Sequence, residues 1–223
     1  MTKTLLVVSA CFYLVLVALA LRPATDLDVA CLFFTSSHHF IGDTPAGTAA
    51  RYVAWACPYV LLGVLMVVTV LAWCGVVPKR FALRGKSLVL LLMTLTLAPG
   101  LIVHYGLKEI SHRPRPHNIV AFDGPEQFRP FYRFDGACRH DCSFPSGEMA
   151  LASWTVAPAS LAPLPWRGAA LAAAFIFAVV TGGWRMALGA HFLSDVCAGA
   201  LITILTVLFS RALLRVSARG AQT

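Results

Sequence analysis

Residues 52–77 read YVAWACPYVLLGVLMVVTVLAWCGVV, and this stretch contains no charged side chain. A helix needs about 20 apolar residues to cross the hydrocarbon core of a bilayer, which is about 30 Å thick. The whole chain of 223 residues is 58% hydrophobic and only 13% charged, whereas a soluble domain has about 25% charged residues. The sequence therefore predicts an integral membrane protein and excludes an ordinary soluble domain.

Six apolar stretches are candidates for membrane-spanning helices. Pro158 and Pro163 mark the end of the fourth, and residues 163–168 are predicted to form a tight turn before the fifth. We expect an all-α fold with a six-helix membrane core in a single domain, residues 1–223. The first stretch could instead be a cleaved signal peptide, because residues 18–20 have the small-x-small pattern of a cleavage site. The six stretches are residues 5–21, 52–77, 87–107, 149–164, 169–180 (extended toward 184) and 192–209.

Charged residues are distributed unevenly over the two sides of such a bundle. With the N-terminus in the cytoplasm, all ten acidic residues fall on the opposite side, and the short cytoplasmic loop 78–86 contains four cations. Since cytoplasmic loops are enriched in lysine and arginine, we expect both termini in the cytoplasm. The cytoplasmic cations are then Lys3, Lys79, Arg80, Arg84, Lys86, Arg167, Arg211, Arg215 and Arg219.

Two clusters on the outer side have the chemistry of a phosphate-binding site. Lys108, Arg113 and Arg115 form a dense cationic group at the end of the third stretch, and such side chains bind oxyanions as point charges or bidentate forks. Residues 145–147, Pro-Ser-Gly, stand directly before an apolar helix, where free backbone N–H groups can bind phosphate. Taken singly, the first cluster could be a basic stripe meeting lipid headgroups, and the second only a good helix start.

A third cluster supplies a candidate nucleophile. His191 and Asp195 are four residues apart, so on a helix they share one face. A carboxylate that accepts one ring N–H fixes the tautomer and leaves the other nitrogen free to attack. A lone pair of this kind could be a buried hydrogen bond, but Arg185 precedes it in the same segment, which favours a functional site.

In order and spacing, the three clusters together resemble the signature of the type 2 phosphatidic acid phosphatases, a family of membrane lipid phosphatases. The resemblance covers residues 85–200, the expected phosphatase core, and implies six helices with both termini inside. It also implies that the outer loop, residues 108–147, carries part of the active site. The matching residues are Lys108, Arg115-Pro116, Pro145-Ser146-Gly147, Arg185, His191 and Asp195.

The resemblance implies a phosphoric ester hydrolase with a phosphohistidine intermediate. His191 would attack phosphorus, and Asp195 would orient it. We expect no metal or other cofactor, a membrane lipid phosphate as substrate, no nucleic-acid partner, and an active site facing the periplasm from a bacterial inner membrane; no oligomeric state is indicated. The phosphoryl oxygens would be held by Lys108, Arg115, Ser146, Gly147 and Arg185.

Glu148 departs from the family pattern, which has at this position a histidine that protonates the leaving oxygen. A glutamic acid could do the same work as a catalytic acid. Alternatively, Glu148 only complements the helix N-terminus, and the acid is His112, His117, His140 or water; an inactive descendant is the remaining alternative. Residues 142–148, Cys-Ser-Phe-Pro-Ser-Gly-Glu, resemble a bacterial subgroup that includes lipid A phosphatases, so lipid A is the favoured substrate.

Cys138 and Cys142 lie in the outer loop, directly before the Pro-Ser-Gly element. In an oxidising periplasm a disulfide between them would stiffen the approach to Ser146. A zinc site formed by both cysteines and His140 is the alternative. Cys11, Cys57, Cys74 and Cys197 lie in apolar stretches and are expected to act as small hydrophobic residues.

Other functional classes fit the sequence less well. A six-span haem protein would place histidine pairs on facing helices, whereas these histidines gather at one membrane level. A transporter of an anionic solute would more often show an internal repeat or interrupted helices near the midplane, and neither is evident. A lipid phosphotransferase would use the same residues as the hydrolase, and undecaprenyl diphosphate and phosphatidylglycerol phosphate are alternative phosphate donors to lipid A.

Overall fold

The computed structural model describes residues 2–216, so the predicted cytoplasmic cation Arg219 lies outside the described residues. Within that range the chain is helical and forms no strand, apart from two isolated bridges. A π-helical segment, Thr96–Leu107, joins α4 to α5. The α-helices are α1 (Thr2–Leu21), α2 (Ala24–Cys31), α3 (Pro45–Trp73), α4 (Gly85–Leu95), α5 (Lys108–Ile110), α6 (Gly147–Trp154), α7 (Val156–Ala159), α8 (Leu164–Ala187) and α9 (Leu193–Leu214).

The predicted all-α, polytopic membrane fold is confirmed. Five helical stretches among the described residues are long and apolar enough to cross a bilayer, and in four of them most residues are not buried within the protein. The α9 helix is the most buried of the five, which makes it the centre of the bundle. The five stretches are Thr2–Leu21, Pro45–Trp73, Lys79–Ile110, Leu164–Ala187 and Leu193–Leu214.

The predicted fourth span is two short helices, α6 and α7, and a sixth bilayer crossing stays a prediction. Pro158 lies within α7, and the chain leaves helical geometry soon after it. These helices nevertheless run beside α9 for most of its length. The Ser146 N–H donates to the Asp195 carbonyl at one end, and Arg211 Nη1 donates to Ser160 Oγ at the other.

The predicted tight turn at residues 163–168 is wrong, because α8 begins at Leu164. Proline is tolerated in the first turn of a helix, where its missing N–H would have no intrahelical partner. Pro165 occupies such a position. The fifth span is therefore longer than the sequence predicted, reaching from Leu164 to Ala187.

The core lies where α6 and α9 meet their neighbours. Trp154 is fully buried and donates its indole N–H to the Leu91 carbonyl and to Thr94 Oγ1. Gly199 allows the closest approach, because a Cβ at this position would lie 2.5 Å from the Ser146 carbonyl oxygen. The start of α6 is thus fixed against the first turns of α9.

The bundle places the candidate site residues at one end. Lys108 begins α5 and Arg185 lies in the last turn of α8, while Glu148 and Asp195 lie in the first turns of α6 and α9. The C-terminal end of α9 is 19 residues beyond Asp195, and Leu5, near the start of α1, packs with Ile204 at mid-length of α9. Both ends of the described chain therefore lie away from the site.

Candidate active site

A cavity of about 490 Å³ opens at the end of the bundle where the predicted site residues converge. Its floor and walls come from α3, the π-helical segment, α6 and α8, together with the loops before α6 and α9. Aromatic and apolar side chains continue the cavity toward the middle of the bundle, among them Trp55, Tyr59 and Leu151. The ionisable residues that line it are Arg51, His104, Lys108, Arg115, Asp141, Glu148, Arg185 and His191.

His191 is buried and has one ring nitrogen fixed by the backbone. Its Nδ1 lies 2.8 Å from the Ser143 carbonyl oxygen, and because a carbonyl only accepts, Nδ1 carries the proton. Nε2 has no hydrogen-bond partner among residues 2–216, and the side chain lines the cavity. Burial lowers the pKa of His191 to about 3, with Arg185 and Arg115 acting in the same direction. The ring is therefore neutral near pH 7, with the Nε2 lone pair available.

Asp195 lies beside His191 but does not bond to it directly. The sequence predicted that the carboxylate accepts the ring N–H, whereas Asp195 Oδ2 is 3.7 Å from His191 Nδ1. Oδ2 instead accepts from the Ser143 hydroxyl and from the Phe192 N–H at the start of α9. Asp195 thus positions Ser143, whose carbonyl holds the imidazole, and adds a negative charge near the ring.

Lys108 and Arg115 meet across the cavity, and a carboxylate from the outer loop lies between them. Asp141 Oδ1 accepts from Lys108 Nζ, and Asp141 Oδ2 accepts from Arg115 Nη2. Burial raises the pKa of Asp141, but the hydrogen bond from Lys108 and the charge of Arg115 outweigh this and leave it below its usual value. Asp141 is therefore an anion that binds Lys108 and Arg115, the two cations that the resemblance assigns to phosphate binding.

Asp141→Asn is expected to tighten the binding of orthophosphate roughly threefold to tenfold, because the two ion pairs of the exposed Asp141 carboxylate, of up to about 1 kcal/mol each, no longer compete with the ligand. Since the pKa of Asp141 is lowered, the carboxylate is ionised from pH 5 to 8 and the difference from wild type should persist there. It should shrink as the pH falls through that pKa, because protonation removes the competing charge from the wild type. Inhibition constants for orthophosphate measure the effect.

The matched control for this prediction is Asp135→Asn, which neutralises an exposed acid of the same loop that pairs with Arg133. This change should leave phosphate binding unaltered. Weaker binding by Asp141→Asn than by wild type would show that Asp141 organises the two cations rather than competing for them.

The structure joins Cys138 to Cys142 in a disulfide that closes the segment containing His140 and Asp141. Both sulfur atoms are used in this bond, so the alternative zinc site is not formed. His140 is exposed and does not line the cavity. The closed segment instead fixes the position from which Asp141 reaches Lys108 and Arg115.

Ser146 and Gly147 occupy different positions relative to the cavity. Ser146 is fully buried, caps α6 by accepting the Met149 N–H on its side chain, and does not line the cavity. Gly147 lines the cavity at the first position of α6, where a backbone N–H has no intrahelical acceptor. The backbone at Gly147, rather than the Ser146 hydroxyl, is therefore the group presented to a ligand.

Glu148 contacts two arginines from different helices. Glu148 Oε1 accepts from Arg51 Nε at 2.7 Å, and Oε2 lies 3.4 Å from Arg185 Nε. Sequence reasoning missed Arg51, which stands 97 residues before Glu148. One feature of the sequence could have identified Arg51 as a candidate. It is a single cation at the outer end of an apolar run, and such a position is energetically costly in a membrane protein.

Arg113 does not belong to the phosphate-binding group, which corrects the cationic cluster predicted from the sequence. Its side chain has 0% exposure, and it donates to Asp26, Ser194 and Asp195. The guanidinium also lies 4.3 Å from the Phe192 ring centroid. Arg113 is a buried link between α2, the outer loop and α9.

Of the histidines considered as the acid, none of His112, His117 and His140 lines the cavity. The His112 ring bonds through Nδ1 to the Cys138 carbonyl, and burial lowers the pKa of His117. His104, on the π-helical segment, lines the cavity together with His191. A wide π-helical turn often marks a functional site, and here it brings His104 and Lys108 to the same wall.

Comparisons with known proteins identify the family of the chain. The family model of the PAP2 superfamily matches residues 87–218. A lipid A 4'-phosphatase of Francisella tularensis subsp. novicida (strain U112) is 30% identical over 180 residues, which are 78% of this chain and 79% of that protein. A lipid A 4'-phosphatase of Rhizobium leguminosarum is 33% identical over 162 residues, 73% of this chain and 70% of that protein.

A third relative, a lipid A 4'-phosphatase of Rhizobium etli, is 35% identical over 121 residues, 54% of this chain and 47% of that protein. No solved structure matches the chain significantly. The family model spans more than half of the chain, and two relatives align with more than two thirds of it. The resemblance seen in the three sequence clusters is thereby confirmed, and the chain belongs to the PAP2 superfamily.

Proposed function

We propose that this protein hydrolyses a phosphate monoester of lipid A at the periplasmic face of a bacterial inner membrane. Its family and its similarity to three lipid A 4'-phosphatases make it a lipid phosphatase of a bacterial membrane. One observation carries the chemistry: the free Nε2 of neutral His191 lies in a cavity lined by Lys108, Arg115 and Arg185.

The three cations and the Gly147 backbone bind the phosphoryl oxygens of the substrate. The phosphate thereby displaces the Asp141 carboxylate from Lys108 and Arg115. Phosphoryl transfer depends mainly on positioning and on stabilisation of charge spread over these oxygens. Guanidinium groups match two oxygens at once, whereas the lysine ammonium acts as a point charge. The cluster therefore supplies the electrostatic part of catalysis from side chains of this chain.

His191 is the nucleophile. Its Nε2 attacks phosphorus, the N–P bond forms as the P–O bond to the lipid breaks, and the leaving oxygen takes a proton from a water molecule. The Nδ1 proton stays on the ring, held by the Ser143 carbonyl, and the Asp195 carboxylate offsets the positive charge of the phosphorylated imidazole. A water molecule then attacks phosphorus, which releases orthophosphate and restores neutral His191.

The orientation in the membrane follows from charge and from the position of the site. The segment 78–86, with four cations, lies between α3 and α4, at the end of the bundle away from the cavity. Since cytoplasmic loops collect lysine and arginine, this end and both termini face the cytoplasm in our proposal. The cavity and the disulfide-containing loop then face the oxidising periplasm, where disulfides persist.

A substrate panel tests the proposal. Purified protein in detergent is offered lipid A, phosphatidic acid, undecaprenyl diphosphate and phosphatidylglycerol phosphate, and orthophosphate release is measured against a His191→Ala blank. We expect kcat/KM for lipid A to exceed that for the others by about tenfold or more, since recognition of the correct polar headgroup contributes at least that factor. Loss of the 4'-phosphate, read by mass spectrometry, identifies the position cleaved.

Other outcomes of the panel would overturn the proposal. A preference for undecaprenyl diphosphate or phosphatidylglycerol phosphate would move the substrate to another lipid class. Transfer of the phosphate to a second lipid, with no free orthophosphate, would make the protein a phosphotransferase. No turnover of any substrate would contradict an active phosphatase.

A further inference from the structure

Three helices meet at Glu148 through charged side chains. Arg51 comes from the first turns of α3, Glu148 from the first turn of α6 and Arg185 from the last turn of α8. The Glu148 side chain is 13% exposed and that of Arg185 is 4% exposed, whereas Arg51 is 36% exposed. A buried cation beside a second cation is costly unless a carboxylate lies between them, and Glu148 occupies that position.

Both arginines face Glu148 through the same part of the guanidinium group. The atoms closest to the carboxylate are Arg51 Nε and Arg185 Nε. A guanidinium carries five N–H donors in a fixed fork, so four donors on the two terminal nitrogens of each residue remain. Within residues 2–216 these terminal nitrogens donate no hydrogen bond to another side chain or to the backbone.

The same two arginines line the cavity that contains Lys108, Arg115 and His191. Their side chains also border a second, smaller and mainly apolar cleft of about 210 Å³ between α3 and α8. Glu148 therefore stands in the wall shared by the two spaces and holds both guanidinium groups at the edge of the phosphate cavity.

Both carboxyl oxygens of Glu148 face guanidinium nitrogens, which can donate hydrogen bonds but cannot accept them. A carboxylate accepts hydrogen bonds and has no proton to donate. This arrangement suits a residue that positions cations, and it opposes the role of proton donor that the histidine has at this position in the family pattern.

We propose that Arg51 is a fourth cationic ligand of the substrate phosphate, and that Glu148 is a positioning residue that holds Arg51 and Arg185 with their terminal nitrogens toward the phosphoryl oxygens. This inference rests on the proposed phosphatase function and deepens it. Once the substrate displaces Asp141, four cations and the Glu148 carboxylate fit a terminal phosphate monoester, which carries up to two negative charges, better than a singly charged phosphodiester.

Orthophosphate binding tests the proposal without any lipid. The wild type and the variants Arg51→Gln, Arg51→Lys and Glu148→Gln are heated in detergent with increasing orthophosphate, and dissociation constants are taken from the rise in unfolding temperature. Arg51→Gln keeps a donor for Glu148 but loses the charge. It should bind orthophosphate about 10-fold to 100-fold more weakly, the usual loss for a charge-assisted contact, and Arg51→Lys should recover part of this loss.

Glu148→Gln should weaken orthophosphate binding by a smaller factor, about threefold to tenfold, because both arginines remain but are no longer held. In hydrolysis, the expected effect of both Arg51→Gln and Glu148→Gln is a lower kcat/KM with unchanged dependence on the acidity of the leaving alcohol. Arg22→Ala is the control, since Arg22 is an exposed cation at the same end of the bundle, paired with Asp28, and it should bind orthophosphate as the wild type does.

The outcomes separate this inference from the proposed function. Equal orthophosphate affinity of wild type and Arg51→Gln would overturn the role of Arg51, even if lipid A were hydrolysed. A steeper dependence of Glu148→Gln on leaving-group acidity, with orthophosphate binding intact, would make Glu148 the acid instead. Failure of the wild type to turn over any lipid would overturn the function but leave the orthophosphate comparison decisive for Arg51.

Discussion

His191→Ala is expected to reduce kcat for phosphate release by about 10⁴-fold or more, the scale seen when an enzyme loses its nucleophile. The imidazole is the only cavity group held with a proton on one nitrogen and a free lone pair on the other, as far as residues 2–216 show. Loss of the ring removes the N–P bond on which the two-step route depends. Phosphate release from lipid A in detergent, followed by a single-turnover assay, measures the effect.

The control for this change is His39→Ala, because His39 is exposed at the same end of the bundle and does not line the cavity. That variant should retain wild-type activity. A phosphorylated, acid-labile form of the protein should accumulate with the wild type at short times and be absent from His191→Ala. Retention of a tenth or more of the activity by His191→Ala would refute the nucleophile assignment.

Arg113→Met is expected to give the largest loss of stability of any single change considered, about 3–5 kcal/mol of the free energy of unfolding. The side chain has 0% exposure and is paired with two carboxylates, Asp26 on α2 and Asp195 on α9, which have 1% and 0% exposure. Removing the cation leaves both carboxylates buried without their guanidinium partner. Denaturant unfolding in detergent micelles, followed by tryptophan fluorescence, measures the change.

Two comparisons make the Arg113 prediction specific. Arg133→Met breaks an exposed ion pair with Asp135 in the same loop and should leave the unfolding curve unchanged. The double variant Arg113→Met with Asp26→Asn should recover part of the loss, because one of the two unpaired charges is gone. An unfolding free energy of Arg113→Met within about 1 kcal/mol of wild type would show that the buried network contributes little.

Some site residues could be found in the sequence because their spacing is local. His191 and Asp195 are four residues apart, and Lys108 and Arg115 are seven apart. These spacings can be recognised in the sequence without knowledge of the fold. Lys108, Arg115 and His191 line one cavity, and Asp195 is buried beside His191. The direct bond between Asp195 and His191 was not observed, because the Ser143 carbonyl, from a loop 48 residues earlier, accepts the ring N–H instead.

Five of the six apolar stretches correspond to long helical spans. For the fourth stretch, hydropathy predicted one long helix where the structure has two short ones, and for the fifth it predicted a helix shorter than the one observed. An apolar run has the same composition whether it faces lipid or is enclosed by other helices. Residues 149–157 are buried among α4, α8 and α9. The apolar composition of this segment is therefore explained by its burial in two short helices and does not require a long helix that faces lipid. The start of α8 was misjudged because Pro165 was interpreted as a turn residue, although proline is equally compatible with a first helical turn.

The all-α membrane fold and the family could be predicted from the sequence, together with a set of candidate phosphate-binding residues, because apolar run length and motif spacing are properties of neighbouring residues. The pairing of the charged side chains, in contrast, is seen only in the folded protein. Folding brings Arg51 to Glu148 across 97 residues, Asp26 to Arg113 across 87, and Asp141 to Lys108 across 33. These pairs depend on how distant helices and loops pack, and no periodicity in the chain encodes that packing.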